Sequence, residues 1–141
     1  MTELFFDGHN DVLLRLWLKK DGDPVRDFLD GDGKGQLDLP RMIKGGMAGG
    51  FFAIFVPPQV DDHHDDDDLN PPAAVALPAG YGLNIAVQMA SLLLRIEAAS
   101  EGRFTVCRTV ADIRHCLANG VIAAIMHIEG AECIDADLAA L

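Results

Sequence analysis

The chain has 141 residues, 11 of them basic and 22 acidic, which gives a formal net charge of -11. Half of the residues are hydrophobic, so the chain can bury a core and is not a disordered segment. The acidic balance argues against a nucleic-acid partner, because neutralising phosphates requires clustered Lys and Arg side chains.

Neither end of the sequence nor its apolar runs point to a membrane. The amino terminus MTELFFDGHND has no basic start followed by a long apolar run, so we expect a cytoplasmic protein. The longest apolar runs are far shorter than the roughly 20 residues of a transmembrane helix. Cys107, Cys116 and Cys133 form no CxxC pair, and we expect three reduced thiols in the core.

The first third of the chain alternates apolar runs with turn residues. Residues 4–6 predict a strand, and the polar stretch 7–11 leads into an amphipathic helix. The Gly- and Asp-rich residues 21–36 predict a surface loop. Asp38 is expected to cap a short helix that ends in left-handed geometry at the Gly45-Gly46 pair.

The middle of the chain combines a buried strand, an acidic insertion and a helix. Residues 51–56, FFAIFV, are followed by two prolines and predict a strand buried on both faces. Residues 57–80 contain the run DDHHDDDD and predict an exposed acidic loop insertion. The apolar stripe from Ile85 to Ile96 predicts an amphipathic helix.

The last third predicts a helix, a strand and the start of another helix. Thr109 and Asp112 are typical of a helix start, and Gly120 of a helix end. The helix between them should pack through an apolar face made of Val110, Ile113 and Leu117. Residues 121–128, VIAAIMHI, predict a buried strand that leads directly into Glu129, and the chain then enters what resembles the next helix.

This alternation of buried strands and amphipathic helices predicts an α/β fold with a parallel sheet covered on its faces. In such folds the functional groups collect beyond the carboxyl ends of the strands. Few polar residues occupy those ends: Asp7, His9 and Asp11 follow the first strand, and Glu129 follows the last.

His9 and Asp11 are two residues apart, so extended backbone places both side chains on one face with Cα atoms about 6.6 Å apart. Imidazole and carboxylate are standard zinc ligands, and a carboxylate from another strand, Glu129, is a natural third that can bridge two ions. The alternative is that Asp11 only caps the helix that follows. His127 shares the face of Glu129, where a hydrogen-bonded partner or core histidine is favoured over a ligand.

Three motifs in this order resemble the membrane or renal dipeptidase family of zinc metallopeptidases over essentially the whole chain. The motifs are Asp7-Gly8-His9-Asn10-Asp11, then Asp38-Leu39-Pro40-Arg41 leading to Phe51-Phe52-Ala53-Ile54-Phe55, and then Ile128-Glu129-Gly130 with Ile134-Asp135 beyond.

The resemblance implies a (β/α)8 TIM-type barrel of the metal-dependent hydrolase kind, with residues 1–141 as its amino-terminal portion, the first few βα units. It implies a zinc-dependent dipeptidase that hydrolyses dipeptides with a hydroxide held between two zinc ions. By motif position, His9 and Asp11 would bind the first zinc, and Glu129 would be the catalytic ligand that bridges both. A homodimer is also implied.

Two other functions stay open. One is a related two-metal hydrolase acting on other amides, such as a lactam or an acyl amino acid. The other is an inactive barrel fragment or non-catalytic module, because a complete barrel of this kind needs about 250 residues.

Overall fold

A computed structural model describes residues 3–58, 77–135 and 137–139 of the chain. Most of the predicted acidic insertion at 57–80 therefore lies outside the described residues. Within the described part, no helix is both long enough and apolar enough to cross a bilayer.

Strands and helices alternate along the described chain. They are β1 (Phe5–Asn10), α1 (Val12–Trp17), α2 (Pro24–Arg26), a π-helix (Asp27–Gly31), α3 (Leu39–Gly45), β2 (Met47–Phe55), α4 (Tyr81–Ala99), β3 (Phe104–Val106), α5 (Val110–Asn119) and β4 (Ile122–Glu129).

The four strands form one parallel sheet in the order β1-β2-β4-β3. The predicted parallel sheet is confirmed, whereas the three-residue strand β3 at its edge was not predicted. The chain passes from β2 through α4 to that edge and returns through α5, so that β4 fills the position beside β2. As a result, the carboxyl ends of β1, β2 and β4 are neighbours.

The core lies between the sheet and the helices that cover one of its faces. Phe52 packs edge to face against Phe104 and Phe28, with ring centroids 5.2 and 6.3 Å apart. The predicted stripe of α4 is buried against this cluster from Ile85 to Ile96. Each of the three cysteines is a buried free thiol, as predicted.

Local capping signals in the sequence were correct. The Asp38 side chain accepts a hydrogen bond from a first-turn N–H of α3, and Gly46 ends that helix in left-handed geometry. Thr109 and Asp112 form a reciprocal capping box at the start of α5, and Gly120 is left-handed at its end. Each of these signals depends only on neighbours within one helical turn.

The predicted surface loop at 21–36 was wrong in its first half. Asp23 caps the short helix α2 by accepting hydrogen bonds from two backbone N–H groups, and Pro24 occupies the first turn. The π-helix that follows buries Phe28 and Leu29 in the core. The Gly- and Asp-rich composition hid this capped, partly buried helical segment.

Two strand boundaries also differ from the prediction. β1 continues through the polar residues to Asn10, because its backbone pairs with β2 over that length. β2 begins at Met47 rather than at 51, and its early glycines allow close packing. A Cβ atom at Gly49 would overlap the Ala123 carbonyl oxygen, so only glycine fits at this position, although glycine is unfavourable in strands.

The end of the chain is more exposed than predicted. In α5 the expected apolar face is only partly confirmed. Ile113 packs against a buried cluster, but Val110 and Leu117 are 63% and 41% exposed, and Cys116 is the buried residue. The carboxyl half of β4 is likewise largely exposed. Beyond Glu129 the described residues 130–135 and 137–139 form turns instead of the predicted helix, starting with the left-handed Gly130.

Candidate metal centre

Three side chains from two separate strands converge at the carboxyl edge of the sheet. His9 lies near the end of β1, Asp11 follows that strand, and Glu129 is the last residue of β4. One donor atom from each side chain lies within 4.8 Å of the other two. In the part of the chain that the structure describes, no other group of three His, Cys, Asp or Glu side chains converges in this way.

The spacing of these atoms resembles the spacing of ligands around one ion. Nε2 of His9 lies 3.4 Å from Oδ1 of Asp11 and 3.5 Å from Oε2 of Glu129. Both distances exceed the 2.7 to about 3.2 Å of a hydrogen bond. Ligands at about 2.0 to 2.2 Å in tetrahedral zinc sites stand about 3.3 to 3.6 Å apart, which matches both distances from Nε2 of His9.

The alternative role for Asp11, as a helix cap, is not observed. Asp11 occupies the N-cap position of α1, but its side chain makes no capping hydrogen bond. The side chains of His9, Asp11 and Glu129 are 40%, 58% and 46% exposed, respectively. All three groups are therefore accessible to solvent in this chain.

His127 supports the imidazole of His9 from the side. The two rings pack edge to face with centroids 5.5 Å apart, and His127 also packs against Phe51 at 6.1 Å. Strand β2 runs between the two histidines, and its residue paired with His127 is Ala53. Because Ala53 is small, the rings can meet across it.

Two polar residues flank His9: Asp7, which the sequence analysis placed at the end of the first strand, and Asn10, to which it gave no role of its own. The side-chain amide of Asn10 donates hydrogen bonds to Oδ2 of Asp7 at 2.9 Å and to the carbonyl oxygen of Phe51 at 3.0 Å. Both residues belong to the DGHN stretch, but the hydrogen bond of Asn10 across to β2 depends on Phe51, which is 41 residues away. No local pattern contains that pairing.

The segment after Glu129 is held by close contact with the first turn of α4. A Cβ atom at Gly82 would overlap the carbonyl group of Glu132, and one at Gly130 would overlap the Glu132 carboxylate. Glu132 itself is exposed and does not join the converging group. Gly82 therefore lets α4 fix the path of the chain directly behind Glu129.

The donor set suits a borderline metal ion. One imidazole and two carboxylates are ligands that zinc, manganese and cobalt all accept, and three protein ligands leave coordination positions free for substrate or water. Glu129 has a second carboxylate oxygen that can reach a second ion. Further ligands for such an ion are not found among the described residues.

Comparison with known proteins places this arrangement in a family. Residues 2–141 match the family model described as membrane dipeptidase, peptidase family M19. The chain belongs to the membrane dipeptidase family. The resemblance seen in the three sequence motifs is thereby confirmed.

Members of the membrane dipeptidase family with solved structures share this fold. One is a dipeptidase described as a metallo peptidase of the same family, 47% identical, with a TM-score of 0.83 over 99% of this chain and 39% of its own. Another is a metallo peptidase from Rhodobacter sphaeroides liganded with a phosphinate mimic of the dipeptide L-Ala-D-Ala. It is also 47% identical, with a TM-score of 0.83 over 99% of this chain and 42% of its own.

A further relative is an uncharacterized protein of the PQQ-III 3′ region in Acinetobacter calcoaceticus, 36% identical over 130 residues, which are 92% of this chain and 41% of that protein. The chain thus spans about two fifths of the length of the relatives it matches. The predicted fold class, the amino-terminal portion of a TIM-type barrel, agrees with this partial coverage.

Proposed function

We propose that this chain supplies the His9, Asp11 and Glu129 ligands of the zinc centre of a dipeptidase. The observation that supports the proposal most directly is the 3.4 and 3.5 Å spacing around Nε2 of His9. Membership of a metallopeptidase family supports metal dependence, and the dipeptide mimic bound to a relative supports the substrate class.

Each of the three residues has a distinct task in this proposal. His9 as a neutral imidazole offers the lone pair of Nε2, while Asp11 offers a negative charge on the adjacent side. Glu129 can present one oxygen towards His9 and the other towards a second ion. Zinc, when bound, lowers the pKa of water and polarises a carbonyl group, which is the chemistry that amide hydrolysis needs.

The environment of the site fits a small, polar substrate. All three side chains are about half exposed, and they lie at the edge of the sheet where the functional groups of barrel enzymes are found. The Phe51 and His127 rings pack edge to face on the same side of the sheet, so an aromatic surface lies beside the polar groups.

The test measures how tightly metal-free protein binds zinc in two variants. Each variant replaces one of two neighbouring carboxylates with an amide. Glu129→Gln should bind zinc at least about 100-fold more weakly than the wild type, since loss of even an outer partner of a ligand costs about 10- to 100-fold. Glu132→Gln is the matched control, because Glu132 lies three residues away and outside the group. Wild-type affinity in Glu129→Gln would overturn the proposed site.

Substrate class is tested separately on zinc-loaded protein. Hydrolysis of L-Ala-D-Ala, with no turnover of an acyl amino acid or a lactam, is expected. Turnover of the other amides alone would favour the related two-metal hydrolase. Tight zinc binding without hydrolysis of any of them would favour the non-catalytic module.

A further inference from the structure

Strand β1 carries one extra residue directly beside the proposed ligands. Asp7 pairs with Gly50 of β2 and Asn10 pairs with Phe52, so three steps along β1 match two steps along β2. Such a bulge re-aims the side chains that it contains. His9 lies inside this bulge, and Asp11 follows it.

The bulge is closed by the side chain of a single residue. The Asn10 amide nitrogen donates to the Asp7 carboxylate across the bulge and to the Phe51 carbonyl, the β2 residue that the bulge faces. Both partners are acceptors, so only the NH2 end of the amide can face them. Oδ1 of Asn10 is buried and has no hydrogen-bond partner in the described part of the chain.

The bulge separates Asp7 from the proposed ligands. In a regular strand the side chains of Asp7 and His9 would lie on one face, because successive side chains alternate. In the structure the Asp7 carboxylate turns to Asn10, while His9 turns to Asp11 and Glu129. The extra residue therefore decides which carboxylates surround the His9 imidazole.

We infer that Asn10 and Asp7 are positioning residues, which lock the bulge and thereby set the geometry of His9 and Asp11 towards zinc. The inference rests on the proposed function, because it concerns the same metal centre. Neither residue belongs to the converging group of His9, Asp11 and Glu129. Their hydrogen bonds instead fix the backbone between them, and with it the direction of the His9 imidazole.

Asn10→Asp is the decisive variant, since it is nearly isosteric but places a carboxylate against two acceptors. The added negative charge alone would favour a nearby cation. Loss of the two hydrogen bonds donated by Asn10 should instead lower zinc affinity by about tenfold or more, a cost typical of residues that orient metal ligands. The two explanations thus give opposite signs for the same substitution.

Three further variants complete the test. Asp7→Ala removes the acceptor of the Asn10 amide across the bulge and should lower zinc affinity in the same direction as Asn10→Asp. The double variant Asp7→Asn with Asn10→Asp restores a donor and an acceptor across the bulge and should recover part of the affinity. Asn119→Asp is the control, because the Asn119 amide donates to a helix carbonyl in α5, far from the site.

Two measurements are made on each protein: zinc affinity by competition with a chelator, and the visible absorption spectrum after loading with cobalt. A changed cobalt spectrum in Asn10→Asp, with the spectrum unchanged in Asn119→Asp, is expected. Unchanged affinity and spectrum in Asn10→Asp would overturn the positioning role. His9→Ala distinguishes failure of the positioning role from failure of the zinc centre. Wild-type zinc affinity in that variant would overturn the proposed zinc centre itself.

Discussion

Oε2 of Glu129 lies 3.5 Å from Nε2 of His9, although strand β2 runs between the strands that carry them. Oδ1 of Asp11 approaches the same nitrogen at 3.4 Å. Two carboxylates are thus gathered around one imidazole at an exposed edge. Without a cation, their mutual repulsion opposes this arrangement.

We expect Glu129→Gln to change the stability of the metal-free and zinc-bound protein in opposite directions. In EDTA the variant should unfold at the wild-type temperature or slightly above it, because one of the two like charges is removed. With zinc present, the wild type should gain thermal stability and the variant should not, since a ligand stabilises the fold that binds it. Thermal unfolding followed by circular dichroism measures both.

A lower unfolding temperature of the metal-free variant would contradict this expectation. If Glu129→Gln unfolds several degrees below the wild type in EDTA, Glu129 supports the fold and its place in the group has a structural cause. Glu132→Gln, which leaves the group intact, should keep the full zinc-induced shift.

Gly82→Ala should destabilise the protein and loosen the site together. Its Cβ would overlap the backbone carbonyl of Glu132, so either α4 or the chain behind Glu129 has to move. Overpacking of this kind costs about 1 to 3 kcal/mol. Urea unfolding should show that loss, and zinc affinity should fall because Glu129 lies at the start of the displaced segment.

Gly45→Ala provides the matched control for this substitution. Gly45 also belongs to a helix, but a Cβ there would meet no atom within 4 Å. Adding a methyl group should leave stability unchanged or raise it by up to about 1 kcal/mol, since Ala is the better helix former. Equal effects at Gly45 and Gly82 would contradict the close approach of α4 to the Glu129 segment.

Local signals in the sequence were sufficient for part of the fold. The caps at Asp38 and Thr109 and the left-handed glycines at 46 and 120 depend on side chains within one turn of a helix. The grouping of His9 with Glu129 followed from a general rule, that parallel strands bring their carboxyl ends to one edge. Both kinds of signal can be used without knowing which strands are neighbours in the sheet.

The features of the sheet that sequence reasoning missed depend on strand pairing. The bulge in β1 exists only relative to β2, and the side-chain amide of Asn10 donates to a carbonyl group 41 residues away. Strand β3 has three residues, too few for a periodic pattern, and it gains its register from β4. The exposed Val110 of α5 carries no local mark that separates it from a buried valine.

The Cys107 thiol should react slowly with alkylating reagents while the protein is folded. Burial, together with the Cys116 thiol 3.7 Å away, raises the pKa of Cys107 to about 12. Because the thiolate is the reactive form and an unfolded cysteine has a pKa of about 8.5, the thiolate fraction at pH 8 falls on the order of 1,000-fold. Peptide mapping after iodoacetamide treatment, with and without guanidinium, measures the difference.

The same shift has a consequence for stability at alkaline pH. The unfolded chain loses the Cys107 proton first, so the free energy of unfolding should fall as pH rises from about 8.5 towards 12. Cys107→Ala should show a shallower fall over that range. Labelling of folded Cys107 at the unfolded rate would contradict both expectations.

Asp32 should stabilise the fold at neutral pH and lose that effect in acid. The backbone N–H of Lys34 and the side chains of Lys19 and Arg15 donate to its carboxylate at 3.0 to 3.1 Å. These contacts, the Lys34 N–H first and Lys19 next, hold the pKa of Asp32 well below its usual range. A lowered pKa stabilises the fold above the unfolded value of about 3.9 and ceases to do so as pH falls through the folded value.

Urea unfolding of the wild type and Asp32→Asn between pH 7 and pH 2.5 checks this sign. The variant should be less stable at pH 7 by an amount that stays constant down to about pH 4 and then shrinks, because the unfolded wild-type chain begins to bind the proton there. Asp30→Asn is the control, since Asp30 pairs with Arg26 at 3.7 Å on the exposed surface and such pairs contribute little. A stability deficit in Asp32→Asn that is the same at pH 7 and pH 2.5 would show that packing, and not the charge of Asp32, is lost in the variant.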